Sequence, residues 1–406
     1  MGNVRNYDIV IVGGGIVGLS TAMALIKAYP KTSIVVLEKE PAIALHQTGH
    51  NSGVIHAGLY YRPGSKKAEF SVNGGKRLRN FCDQNDIPYE LVGKVVVATT
   101  DAEIPALENL YQRGTTNGIE GLEVIDAAQL AEIEPYALGV RAIRCPATGI
   151  VDYSKVAQAY SSIMQEHQVM LALGTEVIDV TEEKGKIHVS ATTMDVEANY
   201  LINCSGLYAD QLAEKMGLNT GLKIIPFRGE YYVLKPERSY LVNGLIYPVP
   251  NPEFPFLGVH FTKRIGGAVE AGPNAVLAWA REGYRHFDID PAEFVSTLKF
   301  GGFWRMVGKY WKTGIGEFYR SLSKSAFIDA LRVMMPDVES SDLVRAGAGV
   351  RAQAVDSQGN LVDDFRIVSS YRSIHVLNAP SPAATASLVI GEHIRDIAAE
   401  TFQLAK

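Results

Sequence analysis

The chain has little cysteine: Cys82, Cys145 and Cys204 are the only three in 406 residues. They are far apart and odd in number, so neither a disulfide framework nor a paired-cysteine metal site is expected, and a reducing compartment is favoured. A basic excess is also missing. The formal net charge of −5 argues against a general nucleic-acid binder, which would gather Lys and Arg on one face. No stretch approaches 18 uninterrupted apolar residues, and the first apolar strand starts close to Met1 without a basic leader and cleavage site. The expectation is a chain neither secreted nor membrane-spanning. Repeats and low-complexity linkers are absent too. What remains is an ordinary globular composition, 47% hydrophobic, long enough for two domains or one with a large insertion.

The informative stretch is DIVIVGGGIVGLSTAMALIKAYPKTSIVVLEKE, residues 8–40. Its β-branched start reads as a buried parallel strand. Gly13, Gly15 and Gly18 form GxGxxG: one glycine for the tight turn, one for close approach of backbone to a pyrophosphate, one for helix–strand packing. A helix opens at Ile16 and Val17 and stops before Pro30. A second strand ends at Glu38 and Lys39, where a carboxylate accepts hydrogen bonds from a ribose diol but would repel a 2′-phosphate, favouring FAD or NAD over NADP. Strand, glycines, helix, strand and acid in register make the dinucleotide reading much stronger than an isolated glycine motif. The following loop decides between the two. Thr48, Gly49, Asn51, Ser52 and Gly53 offer hydroxyl, amide and backbone N–H groups suited to a pyrophosphate and ribityl chain, so FAD is expected. Three histidines, His46, His50 and His56, fall within the same loop.

At these residues a family resemblance becomes specific. GGGIVGLSTA, LEKE, HQTGHNSGVIHAGLYY, AGVRAQ and NAPSPAATAS are similar to the FAD-dependent D-amino-acid oxidase and glycerol-3-phosphate dehydrogenase superfamily. TGIVDY, PFRGEYYVLKP, YPVPNPEFPFLGVHFT and GPNAVLA resemble, in the same order, its L-2-hydroxyglutarate dehydrogenase/oxidase branch. The resemblance implies an α/β fold in which a Rossmann-like βαβ FAD-binding domain is interleaved with an antiparallel-sheet substrate domain. Residues 1–90, 145–220 and 341–406 are assigned to the first and 91–144 and 221–340 to the second. It also implies FAD-dependent oxidation of L-2-hydroxyglutarate to 2-oxoglutarate. An FAD-dependent amino-acid or N-methyl-amine oxidase is the alternative, and a non-turnover redox sensor a more distant one.

Such chemistry needs a base for the hydroxyl proton while a hydride leaves Cα for flavin N5. Histidine suits the task, being largely neutral near pH 7. His56, in a stretch that relatives run close to the flavin, and His260, on an expected strand of the substrate sheet, are the candidates. Arg351 matches the position where the superfamily presents a carboxylate-binding arginine beside the flavin. Tyr60, Lys67, Arg228, Thr262 and Asn378 are further substrate candidates. Val177, Ser205, Gly206 and Gly349 are further cofactor candidates, as are Ala384 and Thr385 before the last helix, whose N-terminus would favour negative charge. No metal site is expected.

Residues 300–320, FGGFWRMVGKYWKTGIGEFYR, put Phe300, Phe303, Trp304, Val307 and Trp311 on one helical face with Arg305, Lys309 and Lys312 opposite. That arrangement suits an interfacial helix, but the glycines weaken an isolated helix, and a helix buried in the substrate domain is slightly preferred. Docking on a bilayer would imply a quinone acceptor; burial would imply oxygen or a soluble carrier. A cytoplasmic location is expected, with attachment to an inner membrane's cytoplasmic face if the helix docks.

Overall fold

The strand Arg5–Val12 is buried from Ile9 to Val12 and lies parallel between Ile34–Leu37 and Asp195–Asn203. The computed structural model that shows this describes residues 4–250 and 257–404, so residues 251–256 of the YPVPNPEFPFLGVHFT stretch lie outside the described residues. Val and Ile packed on both faces are what a central parallel strand requires. Met170–Ala172 extends the sheet beyond Ile34–Leu37. Asp195–Asn203 changes neighbours halfway: its first half pairs antiparallel with Lys186–Ala191, its second half parallel with Ser373–Asn378. One face carries the helices Ile16–Ala28, Tyr153–Glu166 and Ser387–Thr401. The meander from Val177 covers the other, packing Val180 and Val189 against Val10, Val12, Val35 and Leu37.

The turn after the first strand depends on glycine for steric reasons. Gly13 has φ 112°, and a Cβ there would stand 2.4 Å from the Cys204 carbonyl oxygen. At Gly18 a Cβ would stand 2.0 Å from the Gly13 carbonyl oxygen. Helix and strand therefore approach to a distance only hydrogen permits.

A second sheet is built around two long antiparallel strands, Leu222–Leu234 and Leu343–Asp356, paired from Leu222 opposite Asp356 to Leu234 opposite Leu343. From Leu222–Leu234 the sheet continues through Val269–Gly272, His260–Lys263, Leu245–Pro248, Lys94–Ala98, Arg141–Cys145 and Glu123–Asp126. Leu343–Asp356, grouped with the cofactor-binding segments on sequence, is thus a strand of this second sheet. Its alternation specifies a strand but not a partner, which lies more than a hundred residues away.

The helix Gly301–Leu322 buries Phe303 and Met306 against Ile225 and Val355. Its aromatic residues divide between two faces. Phe303 points inward, whereas Trp304 and Trp311 are 57% and 53% exposed and continue into exposed Ile315, Phe318 and Leu322. Steps of seven, four, three and four residues hold this outer stripe on one side of the helix. The slightly preferred expectation of a buried amphipathic helix therefore holds for one face, that of Phe303 and Met306, while the single aromatic face expected from the sequence is split, with Trp304 and Trp311 on an exposed side. Arg305 and Lys309 donate to carbonyls of the turn at residues 357–358. Among the described residues, no helix is long and apolar enough to cross a membrane.

Candidate active site

A cavity of about 920 Å³ runs between the two sheets. This lies at the upper end of the range for small-molecule sites, giving room for a dinucleotide and a small acid together. At one end it is lined by Gly13, Gly15, Ile16, Val17, Glu38 and Lys39, at the other by Tyr231, Tyr247, His260 and Arg351. The first group sits where parallel strands end and a helix begins, so the N-terminus of Ile16–Ala28 presents its positive end to the cavity.

Glu38 is only 8% exposed, and its carboxylate is pinned from its own side of the cavity. Oε2 accepts from the Gly14 N–H at 2.6 Å and Oε1 from the Glu40 N–H at 2.9 Å. Each oxygen keeps a further lone pair, which suits a ribose diol. Lys39 pairs with Glu282, which also accepts from the Tyr208 hydroxyl at 2.9 Å. A loop of the second sheet's segment is thereby tied to the end of the first sheet. Thr48 lines the cavity and accepts the Ile16 N–H at 3.0 Å. Asn51 and Ser52 line it as well, as do Val177, Ser205, Gly206, Gly349, Ala384 and Thr385. Gly18, Gly49 and Gly53 stand off the wall: a Cβ at Gly49 would come within 2.6 Å of the Ala44 carbonyl oxygen, and Gly53 has φ 67°. Gly18 and Gly49 allow close backbone approach, and Gly53 allows the turn.

At the far end His56 and His260 share the wall with Arg351. Burial, then the Lys94 charge, pushes His56 down to about 3. Burial also takes His260 to about 3, opposed by a hydrogen bond to the Gly258 carbonyl and reinforced by Arg351 and Lys94. Both rings are therefore neutral at neutral pH. His260 Nδ1 lies 2.8 Å from the Gly258 oxygen; a carbonyl only accepts, so Nδ1 carries the hydrogen and Nε2 holds the lone pair. His56 is positioned through its backbone N–H, which donates to Thr385 Oγ1 at 3.1 Å.

The other substrate candidates separate. Tyr60, Lys67 and Asn378 line the cavity. Lys67 Nζ is paired with Asp363 at 2.7 Å, and Asn378 Nδ2 donates to the Val362 and Asp364 carbonyls at 3.0 and 2.8 Å. Arg228 is not on the wall. Its guanidinium donates to Glu230 Oε1 at 3.2 and 3.0 Å and to the Arg285 carbonyl at 2.9 Å, while Glu230 also accepts from Asn274 and Ser321. Thr262 stands behind the wall, hydrogen-bonded to Tyr247. Tyr61, Tyr231, Tyr247 and Tyr310 line the cavity without having been singled out on sequence. Within period-two runs such as EYY, a wall tyrosine reads the same as any strand former.

Residues 8–397 match the family of FAD dependent oxidoreductases. The chain belongs to that family. FAD is accordingly the cofactor, and the glycine turn, the pinned Glu38 and the long cavity fit it. The family's L-2-hydroxyglutarate dehydrogenase from Indibacter alkaliphilus is 50% identical over 398 residues, covering 98% of this chain and 100% of that one. The Escherichia coli K12 protein of the same name is 48% identical, covering 96% and 92%. The human mitochondrial one is 44% identical, covering 99% and 90%. Among solved structures, L-alpha-glycerophosphate oxidase from Mycoplasma pneumoniae with FAD bound superposes at TM-score 0.80 with 21% identity, covering 99% and 96%. Glycine oxidase from Geobacillus kaustophilus superposes at 0.74 with 16% identity, covering 99% and 96%. At that identity these two establish the fold.

Proposed function

We propose that this FAD-dependent oxidoreductase converts L-2-hydroxyglutarate to 2-oxoglutarate. The observation that carries the reading is near-full-length identity of 44 to 50% to L-2-hydroxyglutarate dehydrogenases, in a chain whose cavity gathers two neutral histidines and an arginine at one end. Bound FAD supplies the acceptor for the hydride that leaves Cα. The Arg351 guanidinium holds the carboxylate next to the reacting carbon by charge-assisted hydrogen bonds. His260 takes the hydroxyl proton on Nε2, oriented by its Nδ1–H bond to Gly258, as the C=O bond forms. His56 closes the wall beside it. Glu38 receives the ribose hydroxyls, and the start of Ile16–Ala28 receives the pyrophosphate.

We further infer that the electrons leave to a quinone at a bilayer surface, with the helix Gly301–Leu322 lying in the interface. Trp304, Trp311, Ile315, Phe318 and Leu322 form its apolar contact, flanked by Lys312. Tyr310, on the same helix, lines the cavity, so the contact and the redox site share one element.

Anaerobic titration with L- and D-2-hydroxyglutarate tests the activity. The L enantiomer is expected to bleach the flavin stoichiometrically. Bleaching by glycine, sarcosine or a D-amino acid, with none by the diacid, would replace this reading with amine oxidation.

A further inference from the structure

Lys94 opens the strand Lys94–Ala98, beside Leu245 on one side and Cys145 on the other. It is 3% exposed, and among the described residues no carboxylate lies within ion-pair distance and no acceptor takes a hydrogen bond from its ammonium. Its neighbours are ring faces: Nζ stands 4.5 Å from the Tyr60 centroid and 5.0 Å from that of Tyr247. Tyr247 in turn stacks on His260, with centroids 3.8 Å apart. Both tyrosines are on the cavity wall; Lys94 stands behind them. The Tyr60 hydroxyl is buried and, among the described residues, has no hydrogen-bond partner.

Two tyrosine faces compensate a cation only in part, and a buried charge without a counter-ion is unfavourable. An orphaned hydroxyl has a similar cost. Both deficits sit at the same wall, and an anion reaching Tyr60 would relieve them together. The half-buried Lys67 ammonium, another amine nearby, already has Asp363.

We propose that Lys94 determines specificity for a second carboxylate. The Tyr60 hydroxyl donates to the distal carboxylate of a five-carbon 2-hydroxy diacid, and Lys94, a positioning residue without ligand contact of its own, holds the Tyr60 ring and supplies the countercharge. The proposal rests on the reading of the substrate as a diacid with one carboxylate on Arg351. It adds the group that separates that diacid from a monoacid of equal length.

The test uses the FAD-loaded protein and two unreactive ligands, glutarate and pentanoate, with flavin absorbance reporting binding. The native protein is expected to prefer glutarate by at least ~100-fold. Lys94→Met should weaken glutarate by ~100-fold and pentanoate by less than ~3-fold, with FAD content unchanged; Lys94→Arg should restore part of the preference. Tyr60→Phe, which keeps the ring under the cation, should weaken glutarate ~10-fold and leave pentanoate alone. Burial lowers Lys94 to about 8, and the titratable groups facing it are Cys145, Tyr60, Tyr247 and the two histidines His56 and His260, both neutral throughout this range. Glutarate affinity should therefore fall as pH rises past 8 while pentanoate affinity does not, a readout available even if Lys94→Met does not fold. Equal losses for both ligands, or a glutarate preference that survives Lys94→Met or stays flat above pH 8, would overturn the proposal. Native protein that prefers glutarate through Lys94 but is not reduced by L-2-hydroxyglutarate would overturn the reaction and leave this assignment standing.

Discussion

His260, which we propose as the base, shows what one hydrogen bond decides. The Gly258 carbonyl fixes its tautomer, leaving Nε2 as the acceptor on a ring that lines the cavity. Replacing it with Gln, neutral and similar in reach, is expected to slow flavin reduction by ~10²–10⁴-fold, the usual contribution of a positioned base, measured by stopped-flow with L-2-hydroxyglutarate. Glutarate binding should change little. A loss below tenfold would move the role to His56. The pH profile follows from the same burial. With the folded-state value near 3, below the ordinary value for histidine, the base stays deprotonated on acidification. kcat/KM should stay flat from pH 7 down to 5. A decline centred near 6.5 would mean the ring behaves as an ordinary exposed histidine.

Among the elements, the first helix packs closely against the last. Gly391 on Ser387–Thr401 lies against Ser20 on Ile16–Ala28, and a Cβ there would stand 2.6 Å from the Ser20 backbone. Gly391→Ala gains about 1 kcal/mol of helix propensity, but forcing the helices apart costs about 1–3 kcal/mol. Net destabilisation is expected, read as a lower denaturation midpoint. FAD affinity should fall with it, because the displaced helix is the one whose N-terminus lines the cavity. A midpoint at or above the native one would mean the helices separate freely. The exposed stripe of Gly301–Leu322 has its own test. Trp304→Ser with Trp311→Ser should abolish co-sedimentation with anionic vesicles while leaving turnover with a soluble dye intact. Native protein that never sediments with them would remove the bilayer from the account.

For the molecule as a whole, the cavity is the seam between two sheets, so the cofactor contributes to holding them together. Removing FAD should lower the melting temperature. Adding it back should raise the temperature with concentration, up to about 4 kcal/mol of stabilisation at a thousandfold excess over Kd. Differential scanning calorimetry across an FAD series measures this. A melting temperature indifferent to FAD would mean that the two sheets are joined by protein contacts alone. Those contacts exist: Arg281 is bidentate to Asp210 at 2.6 and 2.9 Å, and Lys39 and Tyr208 meet Glu282.

The nucleotide turn was legible in the sequence because its physics is local. Within residues 8–40, steric demand at Gly13 and Gly18, a helix start and a strand-terminal acid all act over a few residues, so spacing alone carries them. Resemblance pointed to His56, His260 and Arg351, and the fold brings these distant positions onto one wall. Arg228 shows the limit. A substrate candidate on sequence, it is held instead by Glu230 two residues on and by the Arg285 carbonyl, with Asn274 and Ser321 from other elements completing the Glu230 carboxylate. The strand tyrosines Tyr231 and Tyr247 and Lys94 carried no local mark, since a strand residue's alternation says only that it faces one side or the other. Which side becomes a cavity depends on pairings between segments remote in the chain, and charge acquires its meaning there through desolvation. Sequence determined the nucleotide-binding unit; tertiary structure decided which cations are satisfied, that Lys94 is buried without an ion pair among the described residues, and where a substrate can supply what is missing.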